Sequence, residues 1–196
     1  MLKKETRILG LSGLEVVGNR ILVIGVIFRG NRWLDGIIAC SLRPRNSNDM
    51  LPVAQAIIAC KQYSQIRAVI LRHEQRALGT STRVLSLSNK INLPVIAIIS
   101  YGPPRTRGRF QRKKRSSPAM TTYYRVKVQG KSLSVLTTKL SITETSEILS
   151  LACVKGSVFP EAVRIARLVA HSVSKSHILQ TAKGSVNLAK PQPSNA

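Results

Sequence analysis

The chain has 196 residues, of which 43% are hydrophobic, and its 31 Lys and Arg outnumber 8 Asp and Glu, for a formal net charge of +23. This length is sufficient for one domain with a core, and no apolar segment approaches the roughly 20 residues of a membrane-spanning helix. The N-terminal residues lack the apolar core of a signal peptide, so we expect a cytoplasmic protein without a membrane partner. A merely solvated surface mixes both signs of charge, so this excess favours nucleic acid as the partner.

The first hundred residues predict an α/β domain. A short strand in TRILGLSGLEV precedes two β-branched runs around Gly30-Asn31, a turn signal that predicts a β-hairpin. A helix is expected in NDMLPVAQAIIACKQYS, with Asn48 or Asp49 as its cap and Pro52 in its first turn. The buried strand IRAVILR, a weaker helix in TSTRVLSLSNKIN and the buried strand LPVIAIIS follow. This alternation predicts a sheet that begins antiparallel and continues parallel.

A basic arm is predicted at residues 101–122, where glycine and proline disfavour regular structure. Seven of the eleven residues 105–115 are basic and none is acidic. We expect these seven to follow an RNA groove, and the alternatives are a solvated run or a nuclear-localisation signal. They are Arg105, Arg107, Arg109, Arg112, Lys113, Lys114 and Arg115.

Residues 123–176 are expected to complete the domain begun by residues 1–100. YYRVKVQG predicts a strand that presents Arg125 and Lys127 to RNA, and Phe110, Tyr123 and Tyr124 either stack on bases or pack in the core. A helix in TETSEILSLACV has Thr143 and Thr145 as possible caps, and a second one in PEAVRIARLVAHSVSK begins near Pro160. Residues 177–196 are expected to form an extended tail.

The cysteines and histidines predict no metal site and no disulfide. Cys40, Cys60 and Cys153 are widely spaced with no CxxC pair, and the three histidines lack the spacing of metal ligands. We therefore expect reduced thiols, no cofactor and no small-molecule substrate.

Three segments carry a resemblance to a known family: VIGVIFRGNRWLDGIIA, INLPVIAIIS and SEILSLACVKGSVFPEAVRIARLVA. In order and spacing they are similar to the archaeal family described as endonuclease dU, which is related to endonuclease V. The resemblance covers roughly residues 7–174 and is weakest at residues 102–122. It implies an RNase H-like fold, with a mixed five-stranded sheet of three antiparallel strands followed by parallel ones, and helices on both faces.

The same resemblance implies a set of metal-binding acids. Members similar to this chain carry an Asp pair at the end of the first strand and an Asp at the end of the fourth, and such carboxylates hold the Mg²⁺ that activates water. The matching residues here are Ser12, Gly13 and Arg72, and a further family Asp falls near Arg83. Because Asp35 alone cannot hold two metal ions, we expect a catalytically degenerate member that is not an enzyme.

Two further interpretations concern the remaining acids and Arg72. Glu15, Asp35 and Glu74 either assemble a displaced metal site, or are ordinary surface acids or partners for neighbouring arginines. Arg72, helped by Arg83 or Arg76, is expected to contact the RNA backbone or to pair with Asp35.

The favoured function is structural RNA binding in a ribonucleoprotein. The narrower hypothesis is a subunit of an archaeal ribosome, in which the partners are rRNA and neighbouring ribosomal proteins, because the chain is small and basic on many sides. The alternatives are a metal-dependent endonuclease acting on deaminated nucleic acid and a nucleoid-type DNA-binding protein.

Overall fold

The computed structural model describes residues 3–16, 20–43, 50–72, 81–101, 121–157 and 159–186. Seven strands form one sheet in the order β3-β2-β1-β4-β5-β7-β6. In chain order they are β1 (Arg7–Val16), β2 (Arg20–Arg29), β3 (Trp33–Leu42), β4 (Ile66–Arg72), β5 (Val95–Tyr101), β6 (Thr121–Val128) and β7 (Lys131–Thr138).

The first five strands form the predicted mixed arrangement. β1, β2 and β3 pair antiparallel, and β4 and β5 continue from β1 in parallel. The expected total of five strands is wrong, because β7 and β6 extend the sheet as an antiparallel hairpin beyond β5. The sequence pattern of KSLSVLTT, which forms β7, does not predict a strand. Its buried residues do not alternate strictly, because β7 lies inside the sheet with apolar partners on both faces at Val135 and Leu136.

In the part of the chain that the structure describes, four α-helices cover both faces of the sheet, as the resemblance implied. α1 (Leu51–Ile58) and α2 (Ser81–Ile91) pack on one face, against apolar side chains such as Leu9, Leu11 and Val69. α3 (Ile142–Ala152) and α4 (Glu161–Val186) pack on the other, where Ile8 and Ile70 point. Below, these are called the α2 face and the α4 face. Among the described residues no helix is long and apolar enough to cross a membrane.

Two helix caps differ from the predictions. α1 begins after Met50, which makes no side-chain cap, and residues 44–49 lie outside the described residues. α3 is capped by Ser141, whose hydroxyl accepts from the Glu144 amide while the Glu144 carboxylate accepts from the Ser141 amide. The reciprocal pair leaves Thr143 and Thr145 inside the helix, because Ser141 with Glu144 forms a complete capping box.

The start of α4 lies very close to the middle of β1. A Cβ on Gly10 would be 2.3 Å from the backbone carbon of Ala162, so only glycine permits this contact. From there α4 crosses β2 on Ala166 and Ala170. It continues to Val186, so the first ten residues of the predicted extended tail are helical and residues 187–196 lie outside the described residues.

Candidate nucleic-acid interface

Ser12 in the middle of β1 and Arg72 at the end of β4 lie side by side, where the parallel pairing of these two strands ends. Leu11 is in register with Leu71 in the parallel ladder, so the next residue of each strand is the adjacent pair. Ser12 is fully buried, and both residues fall on the α4 face because side chains alternate along a strand. The two positions where the resemblance implied metal ligands therefore lie together, as expected for a shared site.

Arg72 contacts an aromatic ring from the segment that precedes α4, on the same face of the sheet. Its guanidinium carbon lies 5.5 Å from the centroid of the Phe159 ring, within the range of a cation–π contact. Phe159 precedes α4, and its amide donates to Ser157 Oγ at 3.0 Å. The sequence does not predict this contact, because nothing in a lone Phe indicates which distant strand it meets.

Gly13 and Arg83 belong to the opposite face of the sheet. Gly13 follows Ser12 and shares the α2 face with Leu9 and Leu11. Arg83 lies in the first turn of α2 with only 9% of its surface exposed, and burial lowers its guanidinium pKa from the ordinary value. Of the four positions matched to family acids, Ser12 and Arg72 thus lie on the α4 face, and Gly13 and Arg83 lie on the α2 face.

Asp35 lies at the other end of β1 and takes part in an ion-pair cluster. Arg7 Nε donates to one carboxylate oxygen, and the Arg29 guanidinium donates to the other at 2.9 Å. The hydrogen bond from Arg7 is the main reason that the Asp35 pKa is lowered from its usual value. The backbone carbonyl of Asp35 accepts from Gln62 Nε2 at 2.9 Å, which fixes β3 to the body of the fold.

This cluster corrects two of the interpretations made from the sequence. Arg7 and Ser12 are five residues apart on β1, or about 16 Å at the usual rise of a strand. The predicted Arg72–Asp35 pair is therefore wrong, because Asp35 is held by Arg7 and Arg29 at the far end. A displaced metal site that joins Asp35 to Glu15 fails for the same reason, and Glu74 lies outside the described residues.

The donors at the β1–β4 end do not fit the Mg²⁺ that the fold family implies. Magnesium prefers carboxylate oxygens, and the strand ends present a serine, a glycine and an arginine cation instead. Within the described ranges no three His, Cys, Asp or Glu side chains come together. Of the cysteines, Cys40 and Cys60 are partly buried, Cys153 is buried, and all three are free thiols.

A second basic surface follows β6. Tyr123, Arg125 and Lys127 are all exposed, and they alternate with Val126 and Val128, whose side chains are buried against α3. The three exposed residues therefore share the α2 face. Tyr124 points to the opposite face and packs against the core there. Strand alternation in the sequence was the signal that could have separated the two tyrosines.

The seven basic residues of the predicted arm lie outside the described residues. The described part of that segment belongs to strands, since Tyr101 ends β5 and Thr121 begins β6. Residues 75–143 contain 14 Lys and Arg and no Asp or Glu, so the arm and β6 belong to one acid-free run. This run therefore supplies 14 of the 23 net positive charges in about a third of the chain's length.

Comparison with solved structures identifies the fold. A protein of unknown function from Archaeoglobus fulgidus superposes with a TM-score of 0.65 over 85% of this chain and 97% of its own, at 17% identity. Endonuclease V of Ciona intestinalis, in complex with DNA that contains an inosine, gives a TM-score of 0.56 at 11% identity over 87% of this chain and 86% of its own. The fold is RNase H-like.

Sequence comparisons agree with the fold. A UPF0215 protein of Methanothermobacter thermautotrophicus is 23% identical over 184 residues, which cover 88% of this chain and 90% of the relative. The family model described as endonuclease dU matches residues 4–174. This model is described as an endonuclease, so it contradicts the prediction that the chain is not an enzyme. The match spans most of the chain, which therefore belongs to the endonuclease dU family.

Proposed function

We propose that this chain binds the sugar-phosphate backbone of structured RNA where the parallel pairing of β1 and β4 ends, as a component of a ribonucleoprotein. The observation that carries the proposal is the position of Arg72. It lies beside buried Ser12, at the strand end where the resemblance implies that nuclease relatives hold their metal, and its guanidinium is stacked over Phe159.

The chemistry of arginine at this point favours a phosphate. A guanidinium offers five donors in a planar fork that matches two phosphate oxygens, and stacking on a ring restricts its orientation before the ligand arrives. In the metal-dependent scheme, carboxylates bind a cation that in turn neutralises phosphate. Here the cation belongs to the protein, so it can neutralise a phosphate directly.

The charge of the chain supports a long polyanionic ligand. Affinity for nucleic acid rises with each phosphate that a Lys or Arg neutralises, because condensed counterions are released. The acid-free run of residues 75–143 supplies many such contacts, including the predicted arm and Arg125 and Lys127. A ribosomal subunit is the narrower form of the proposal, and it is supported by size and charge alone.

The test compares two arginines of the same strand. Arg67 is exposed near the start of β4, whereas Arg72 ends it, so Arg67→Asp and Arg72→Asp reverse the same charge at opposite ends. We expect Arg72→Asp to weaken binding of purified protein to structured RNA about tenfold and to reduce co-sedimentation with ribonucleoprotein on sucrose gradients. Arg67→Asp should change the affinity less than twofold, and both variants should retain the wild-type melting temperature. Equal effects of the two substitutions would refute a role for the strand end.

Metal-dependent cleavage of deaminated nucleic acid is the second candidate, and membership of the endonuclease dU family favours it. The carboxylates nearest in sequence to the β1–β4 end are Glu15 and Glu74. The assay incubates the protein and Mg²⁺ or Mn²⁺ with oligonucleotides that contain deoxyuridine or inosine, beside matched undamaged strands. Cleavage that Glu15→Gln or Glu74→Gln abolishes and that Asp35→Asn retains would establish this candidate. Preferential binding of duplex DNA over RNA, without cleavage, would instead support the nucleoid alternative.

A further inference from the structure

We infer that the open face of the β6–β7 hairpin is a second binding surface, which takes single-stranded nucleic acid by stacking a base on Tyr123 and holding its phosphates with Arg125 and Lys127. This hairpin platform comprises these three side chains with Ser132 and Ser134 of β7. It lies on the α2 face, away from Arg72. The inference rests on the proposed nucleic-acid binding and adds a second site and a second ligand class to it.

The platform is open because the helices of the α2 face stop before it. Leu136 of β7 belongs to the cluster packed by α1 and α2, and its register partner on β6 is Tyr123. Tyr123 itself is 61% exposed, and Arg125 and Lys127 beyond it are exposed as well. The opposite face of the same strand is closed by α3, against which Val126 packs.

The spacing along β6 suits an extended ligand. Alternate residues of a strand are about 6.6 Å apart, so the row from Tyr123 to Lys127 is about 13 Å long. Each side chain in the row can contact a successive part of one nucleic-acid strand, Tyr123 a base and the two cations the phosphate backbone. Arg125 pairs in register with Ser134, and Lys127 with Ser132, so half-buried hydroxyl groups flank both cations. An open sheet face that carries an aromatic ring among cations is typical of single-strand recognition.

The sequence around the platform contains no acidic residue that could pair with its two cations. Neither β6 nor β7 contains an acidic residue, and the acid-free run extends on both sides of the hairpin. The segment that connects β5 to β6 contains the seven basic residues of the predicted arm. The two strands of the platform and the residues next to them in sequence therefore supply no carboxylate that would compete with a phosphate for Arg125 and Lys127.

The hairpin is held rigidly, which reduces the entropy lost on binding. Gln129 and Gly130 form its turn, both with positive φ, as a two-residue hairpin turn requires. Gln129 Nε2 donates to the carbonyl of Val154 at 2.8 Å, and its side-chain oxygen accepts from the Gly156 amide. At the other end Thr138 Oγ1 donates to Ser88 Oγ at 2.8 Å and accepts from the Val95 amide at 2.9 Å. Both ends of β7 are thus fixed to the body of the fold.

The first test separates the platform from general positive charge. The probe is fluorescein-labelled oligouridylate about 12 nucleotides long, within the ~4–16 nucleotides that single-strand-binding folds occupy. Arg125→Gln with Lys127→Gln is compared with Arg167→Gln with Lys175→Gln, which removes two exposed cations from α4. The β6 pair should lower the slope of log affinity against log salt by about 1.4 and weaken binding about 20-fold at ~0.1 M salt, and the α4 pair should change neither.

The second test concerns the base. Tyr123→Ala should weaken oligouridylate binding about tenfold, Tyr123→Phe should retain it, and Tyr124→Phe should have no effect. Trp33 is the single tryptophan, so Tyr123→Trp in a Trp33→Phe background places one reporter on the platform. Its fluorescence should be quenched by oligouridylate and by oligothymidylate. Whichever oligonucleotide binds with the higher affinity indicates whether the ligand is RNA or DNA.

The outcomes are distinguishable. If the wild-type protein binds neither structured RNA nor oligouridylate, both the proposed function and the platform are wrong. If it binds RNA and the β6 variants behave as the α4 controls do, the platform alone is wrong. If the β6 variants weaken binding to duplex and to single-stranded nucleic acid equally, the surface is a general cationic patch. The inference of single-strand binding is then overturned.

Discussion

The two edge strands of the sheet differ sharply in charge. β3 has one charged residue in ten, Asp35, which is paired with Arg7 and Arg29, and it exposes Trp33 and Ile37. β6 has no acid and presents Tyr123 and both cations to solvent on one face. Edge strands need protection against pairing with other chains, and exposed cations provide it on β6 but not on β3. The excess charge is therefore distributed unevenly, in contrast to the basic coverage on many sides that the composition suggested.

The largest effect should come from reversing the charge of β6. Arg125→Glu with Lys127→Glu replaces two attractive contacts by two repulsive ones, so we expect the affinity for oligouridylate to fall more than about 100-fold at ~0.1 M salt. The measurement is fluorescence anisotropy, with circular dichroism as the control for folding. A loss no greater than that of Arg125→Gln with Lys127→Gln would show that the two side chains do not approach phosphates.

The Cys40 thiol, on the side of β3 that faces the core, should be protected from alkylation, although the opposite side of the strand is exposed. Burial raises the pKa of the Cys40 thiol to about 11, and that of Cys153 to about 12. Since only the thiolate reacts, alkylation of Cys40 by iodoacetamide at pH 8 should be about 100-fold slower in the folded protein than in urea. Mass spectrometry of the alkylated peptides measures both rates, and equal rates would mean that β3 is not seated on α1.

Removing the one charge of β3 should affect stability more than binding. Asp35→Ala leaves two arginines without their shared acceptor, and we expect a loss of about 1.4 kcal/mol in the free energy of unfolding, or about tenfold in the folding equilibrium. Because the Asp35 pKa is lowered in the folded state, its contribution is complete above the unfolded value near ~3.9 and is lost as the pH falls through the folded value. Urea titrations at pH 7 and at pH 3 should therefore show a smaller difference between variant and wild type at pH 3. Oligouridylate affinity at pH 7 should be unchanged.

The smallest effect should follow from adding cations to β3. Ile37→Lys with Ala39→Lys raises the net charge by two on the outer side of the strand, where both residues are exposed. If position decides affinity, binding to oligouridylate should change less than twofold, because β3 and β6 are opposite edges of the sheet. An increase as large as the decrease in the β6 glutamine variant would mean that net charge alone controls binding.

Much of the fold followed from local patterns. Gly30-Asn31 indicates the β2–β3 hairpin, the apolar run AVIL within IRAVILR indicates a central parallel strand, and Pro160 indicates the start of α4. Each of these signals depends on neighbours in sequence, as turn geometry, burial on both faces and helix initiation do. β7 was missed, since Ser and Thr between its apolar residues obscure the pattern, and its pairing with β5 joins residues far apart in the chain.

The candidate site was only partly accessible to the same reasoning. Ser12 and Arg72 are candidates from the sequence because each follows an apolar run, and their adjacency follows from parallel pairing. The partner of Asp35 was predicted wrongly, because strand register decides which end of the sheet a residue occupies and the sequence shows no register. The prediction that the chain is not an enzyme was drawn from four positions, and the family to which the chain belongs contradicts it.

The sequence by itself determined the class of fold, the excess of positive charge and its concentration in residues 75–143, because these depend on composition and local periodicity. Only the tertiary structure decided which charges act together. Asp35 is held by Arg7 and Arg29, Phe159 reaches Arg72 from the start of α4, and Tyr123 is exposed while Tyr124 is packed. The physical reason is that contacts between residues distant in the chain are set by sheet register and helix packing, which close only when the whole core forms.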